Sequence, residues 1–166
     1  MKTSDAVGTR MGEEGSAGLA LFLRRGTVGQ LEQLILHGCY LGCKELVHLS
    51  YAIQDGSCKS LQQLDLSNNS MKRKGVEVIR GMLCKEYLPN LCVLDLSDNH
   101  LGDQGVGEFG NGSDLNCMVQ IKALDLCHNH ITDEGASIIY LYIRNRQWRS
   151  LEHLYLDGSN SGTPQS

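Results

Sequence analysis

The chain has 166 residues, room for one compact domain, and 41% of them are apolar, enough for a sizeable core. Its 15 basic side chains against 19 acidic ones leave a net charge of −4, which excludes the strong basic excess of a nucleic-acid-binding surface. Leucine supplies 25 residues while aromatic residues make up only 5%, a balance that suits many similar small layers better than one irregular core.

Residues 1–10 lack the long apolar stretch of a secretory signal. No run approaches the roughly 18 apolar residues that a membrane span needs. The seven cysteines (Cys39, Cys43, Cys58, Cys84, Cys92, Cys117 and Cys127) are odd in number and show no paired short spacings. Reduced thiols in a cytoplasmic protein are therefore expected. The first ten residues read as a degenerate strand or a disordered N-terminus. Residues 11–26 carry Leu19, Phe22 and Leu23 at offsets of four, seven and eight from Gly15, which is one face of a helix.

From Leu31 onward the chain repeats itself. Leu31, Leu61, Leu91, Ile121 and Leu151 are spaced by 30 residues. Two more apolar columns follow at the same period: Leu34, Leu64, Leu94, Leu124 and Leu154, then Leu36, Leu66, Leu96, Leu126 and Leu156. Asn69, Asn99 and Asn129 form a fourth column, with Cys39 in its place in the first full unit. A buried amide there can bond backbone groups left unpaired where the chain turns away from a strand. In the second half of the units, Gly75, Gly105 and Gly135 are followed four residues later by Ile79, Phe109 and Ile139. Each unit is thus a strand, a turn, a helix and a return loop. Residues 107–113 are rich in glycine and make poor helix material, so the third full unit is expected to have a short helix.

The pattern Leu-x-x-Leu-x-Leu-x-x-Asn-x-Leu resembles a leucine-rich repeat, and asparagine or cysteine in the fourth column resembles the ribonuclease-inhibitor-like subclass. The resemblance covers residues 11–159 and implies an α/β horseshoe solenoid, with an inner parallel sheet of about five strands and helices outside. Half a repeat precedes the repeats that start at 31, 61, 91, 121 and 151, which places a repeat domain at residues 11–160 and a disordered tail at 161–166. Neither end shows a capping unit, although solenoids need polar caps. The last repeat stops after its strand, leaving residues 151–156 as an unpaired edge. That edge implies a longer array or cover by a partner, a homodimer through it included.

Strand alternation turns Ile35, Asp65, Asp95, Asp125 and Tyr155 to the concave face. Stacked carboxylates about 4.8 Å apart repel by about 1 kcal/mol per pair in water, or about 3 at an effective dielectric near 20. The strip is tolerable without a metal. The subclass commonly has aspartate in this column, and the bland reading is no more than that. The functional reading is an acidic strip receiving lysine or arginine from a protein partner with a basic surface, with His153 and Tyr155 adding contact area and Glu32, Glu152 and Asp157 extending it.

Acids at helix starts and bases at helix ends suit the helix dipole in most units, but Lys72, Arg73 and Lys74 reverse this, with Lys44 in the neighbouring column. They are a candidate docking patch. At the strand exits, Asp98, His100, His128 and His130 are residue types that bind zinc or nickel, yet ordinary solvated loop residues are the preferred reading and no metal is assigned. Gly105 to Gly110 matches G-x-G-x-x-G, but no strand directly precedes it, and no cofactor is expected. Arg144, Arg146, Trp148 and Arg149 could suggest RNA; Trp148 is read instead as a plug in a return loop. No nucleophile has a recognisable base.

The expected function is a non-catalytic scaffold that binds a protein partner on its concave face, with no nucleic acid and no membrane. What the resemblance implies is broad: the ribonuclease inhibitor, the tropomodulin actin-capping domain, sensor domains of NOD-like receptors and Ran GTPase-activating proteins share the pattern. The alternative is therefore a GTPase-activating or other catalytic regulator resembling the last of these.

Overall fold

Short extended segments and longer helices alternate along the whole chain. The computed structural model describes residues 2–25, 29–84, 87–111 and 117–158, the side chain of Cys84 excepted. The tail at 161–166, and Ser159 in the asparagine column, lie outside the described residues. The strands are β1 (Thr3–Asp5), β2 (Gln33–Ile35), β3 (Gln63–Asp65), β4 (Val93–Asp95), β5 (Ala123–Asp125) and β6 (His153–Tyr155). Between them run α1 (Glu13–Arg24), α2 (Cys43–Gln54), α3 (Lys72–Cys84), α4 (Gly102–Glu108) and α5 (Asp133–Arg144). The strands form one parallel sheet in sequence order, and the register is the 30-residue period itself: Leu34 pairs with Leu64, Leu64 with Leu94, Leu94 with Leu124.

About five strands were expected, and among the described residues the sheet has six. The additional strand, β1, pairs with β2 through Thr3, Ser4 and Asp5. Its sequence is degenerate, with Ser4 in the leucine column. The backbone holds it: Lys2 O accepts from the amides of Glu32 and Gln33 at 2.8 and 2.9 Å. Parallel pairing uses main-chain groups that every residue carries, so β1 forms without the side chain that marks the others.

The leucine columns are the core. Leu31, Leu61 and Leu91, Leu34 to Leu124, and Leu36 to Leu126 at 30-residue steps are all fully buried. The asparagine column stitches the layers at the strand exits. Asn99 Nδ2 donates to Leu66 O of the previous layer (2.9 Å) and to Leu96 O and Ser97 O of its own (3.1 and 2.9 Å). Asn129 repeats this with Leu96, Leu126 and Cys127, and its Oδ1 accepts from the Asn99 amide at 2.9 Å. Cys39 keeps a thin version of the contact, its thiol donating to Ala6 O at 2.9 Å.

Helix α4 is short, seven residues, as the glycines predict. Its end is closed by a side chain from the next helix: Tyr142 Oη donates to Gly107 O at 3.0 Å. Trp148 is buried as a plug, edge-on to Phe109 (centroids 5.7 Å apart) and tilted against Tyr142 (5.2 Å). The glycine column exists because helix and strand exit approach closely there. The Gly135 amide donates to Asp103 Oδ1 at 3.0 Å, and a Cβ on Gly135 would collide with that oxygen.

Candidate functional site

The carboxylates of Asp65, Asp95 and Asp125 stack in register on the outward face of the sheet, and β1 adds a fourth, Asp5, beyond the interruption at Ile35. Each accepts the amide two residues ahead at 2.9 Å: Val7, Ser67, Ser97 and Cys127. That bond makes a local turn where the strand ends. Ser67 and Ser97 hydroxyls add bonds of 2.5 and 2.7 Å to Asp65 and Asp95. Among the described residues, none of the four aspartates forms an ion pair.

Burial raises the Asp95 carboxyl above the ordinary range; the Ser97 bonds oppose this, and the neighbouring charges of Asp65 and Asp125 add to it. The Cys127 thiol below Asp125 is pushed up to about 11, by burial first and then by the Asp125 carboxylate, so it is a neutral thiol. At the strand starts the extending acids are already matched: Glu32 pairs with Lys2 at 3.3 Å and Glu152 with Lys122 at 3.7 Å. His153 and Tyr155 are exposed on β6, the tyrosine beside Asp125.

His37 occupies the same face above Ile35. Ser67 Oγ spends its single proton on Asp65 and lies 2.7 Å from His37 Nδ1, so the imidazole donates from Nδ1. The order is histidine, serine, carboxylate, and the serine is buried. A nucleophile needs its proton aimed at the base, so this chain of bonds is an orienting one.

The basic patch divides. Arg73 Nε reaches Glu108 Oε1 at 2.6 Å, and Glu108 is almost fully buried at the end of α4. Glu77 lies 4.0 Å from the same guanidinium. The placement of Arg73 against the helix dipole is therefore answered by a structural partner. Lys44, Lys72 and Lys74 are exposed. Neither Glu108 nor Asp5 stands out in the sequence. Asp5 was findable, since it lies 60 residues before Asp65 in the column; Glu108 carries no periodic signal.

On the rim, His100 Nδ1 and His130 Nε2 are 3.1 Å apart. His128 lies against Gly158 instead, and among the described residues no three histidine, cysteine, aspartate or glutamate side chains converge as a metal site.

The description "Leucine Rich repeat" matches residues 57–79, 87–110 and 121–139, the same stretches whose leucines fill the core columns. The chain contains leucine-rich repeats. Comparison with curated proteins finds no match. Among solved structures, the leiomodin-1 actin-binding site 2 is similar, with a TM-score of 0.68 over 90% of this chain and 80% of that one, at 14% identity. A likeness at that identity is one of fold. The leucine-rich-repeat architecture explains why the candidate site is spread over a surface: every layer contributes the same outward positions. No helix among the described residues is long and apolar enough to cross a membrane.

Proposed function

We propose that this chain is a non-catalytic protein-binding module whose concave face receives a basic segment of a partner protein. One observation carries the reading: Asp5, Asp65, Asp95 and Asp125 are aligned, oriented by their own turns, and without an ion pair among the described residues. Mutual repulsion makes such a column a standing electrostatic demand that a lysine or arginine side chain satisfies. His153 and Tyr155 extend the contact at the β6 end, and Lys44, Lys72 and Lys74 offer a second patch of opposite sign.

The ribonuclease-inhibitor-like subclass is supported by the 30-residue period, the asparagine and cysteine column, and helices on the convex side. A cytoplasmic location fits the free thiols of Cys39, Cys43, Cys58, Cys92 and Cys127. Actin is the first partner to assay, because the leiomodin-1 domain of similar fold is an actin-binding site; co-sedimentation with filaments reads it directly. For the face itself, Asp65, Asp95 and Asp125 are changed together to lysine and the proteins retained from lysate are compared with wild type. Loss of retained species supports the concave reading; an identical set with a correctly folded variant sinks it. Stimulation of a GTPase by the wild-type chain would instead support the catalytic regulator.

A further inference from the structure

The rim of strand exits carries a feature that partner binding on the concave face leaves unused. Along it, the backbone turns left-handed in every layer. Gly8, Gly38 and Gly158 take φ of +68°, +64° and +73°, whereas Asn68, Asp98 and His128 at the same step hold 51°, 54° and 54°. Two residues further on, Tyr40, His100 and His130 are also left-handed, at 59°, 55° and 57°. A side chain other than glycine is strained in this conformation. Two consecutive layers bear that strain with imidazoles.

The spacing of those imidazoles is set by the core. Each follows an asparagine of the ladder, and Asn99 and Asn129, both fully buried, are bonded to each other at 2.9 Å. The rings lie within 11° of parallel, with centroids 5.3 Å apart and facing nitrogens 3.1 Å apart. The centroid separation exceeds the nitrogen separation by about twice the ring radius. Both nitrogens must then lie on the line between the ring centres, so the rings meet edge to edge in nearly one plane and share a proton.

We propose that His100 and His130 form a two-imidazole site for a borderline divalent cation such as Zn²⁺. With metal–nitrogen bonds of about 2.05 Å, nitrogens 3.1 Å apart subtend an angle of about 98° at the metal, between the octahedral and tetrahedral values. Each ring turns about its Cβ–Cγ bond to swing its lone pair outward, and both side chains are exposed. The shared proton moves to the far nitrogen of its own ring by way of solvent, leaving two neutral imidazoles and no change in charge. The remaining positions take water. A cleft of about 550 Å³ opens beside His130, lined also by Gln104 and Glu134, which gives those waters room and an acceptor. Asp103, in the same cleft, is occupied by Thr132 and Gly135.

The test is calorimetric titration of the whole chain with ZnCl₂ in the presence of a thiol-free reductant. His100→Asn and His130→Asn are the variants, because asparagine tolerates the left-handed backbone and lacks the imidazole; circular dichroism checks that each is folded. One zinc per chain is expected for wild type, with affinity falling at least tenfold in each single variant. Absence of binding by wild type, or binding that persists unchanged in the double variant and so belongs to the thiols, overturns the site.

Discussion

Each aspartate of the concave column does two jobs that pull in opposite directions. Its Oδ1 closes the turn at the strand exit, and its charge repels the next carboxylate in the stack. Asparagine can do the first without the second, since its side-chain oxygen accepts the same amide. Asp95 has neighbours on both sides, and burial together with those charges raises its folded-state proton affinity. A carboxyl raised on folding binds more protons in the native than in the unfolded chain, so it lowers stability as pH rises through that window and the penalty is fully present at neutral pH. Asp95→Asn is therefore expected to stabilise the chain by about 1 kcal/mol at pH 7, the scale of one exposed repulsion. The gain should shrink towards zero once the pH falls below the ordinary carboxylate range. Thermal melts of both proteins across pH 3 to 7 check this; a variant less stable at pH 7 would show that the charge-assisted turn outweighs the repulsion. The same substitution should weaken a basic partner.

Between elements, α3, α4 and α5 are tied by contacts that replace what a seven-residue helix cannot supply itself. The Tyr142 ring closes the end of α4 and lies where a Cβ on Gly110 would be, 2.5 Å from its ring carbon and hydroxyl. Gly110→Ala should cost about 2 kcal/mol, as overpacking does. The cost should vanish in a Tyr142→Ala background, because the collision partner is gone; denaturant unfolding of the four proteins in the cycle measures the coupling. The Arg73–Glu108 pair makes a second tie, and it is lopsided: Glu108 is buried, while half of the arginine side chain is exposed. Arg73→Ala leaves the buried carboxylate without its counter-charge, with only the Asn111 amide still donating to it at 3.2 Å, and is expected to cost about 3 kcal/mol. Glu108→Ala leaves a guanidinium that water and Glu77 can still serve, and should cost clearly less. Equal losses would mean that the packing of the arginine stem, not the charge, is what counts.

At the scale of the molecule, the sequence disclosed what every layer repeats and hid what only one layer does. Leucines in columns are legible because each layer buries the same three positions, and Asn99 and Asn129 because each must answer the same unpaired carbonyls. Ser4 broke the pattern and concealed β1, whose pairing is carried by the backbone. Glu108 is a single event between helices, fixed by a rotamer and burial that no period reports, whereas His100 and His130 share a column and only the facing of their rings lay beyond the sequence. The same layer logic describes the layer of β6. Leu34, Leu64, Leu94 and Leu124 are fully buried, but Leu154 is only half-buried; Ile143 is 47% exposed, whereas Leu23 and Ile53 in its column are 0% exposed. Beside them β6 has an edge with no strand on its outer side among the described residues. An apolar end with an open strand edge is a surface that favours association, and two copies meeting through β6 would cover both at once. Light scattering at tens of micromolar is then expected to give about twice the 18.3 kDa chain mass, with Leu154→Lys returning it to the single-chain value while circular dichroism is preserved. A wild-type chain that scatters as a monomer across that range would rule out self-association through β6 without touching the concave site.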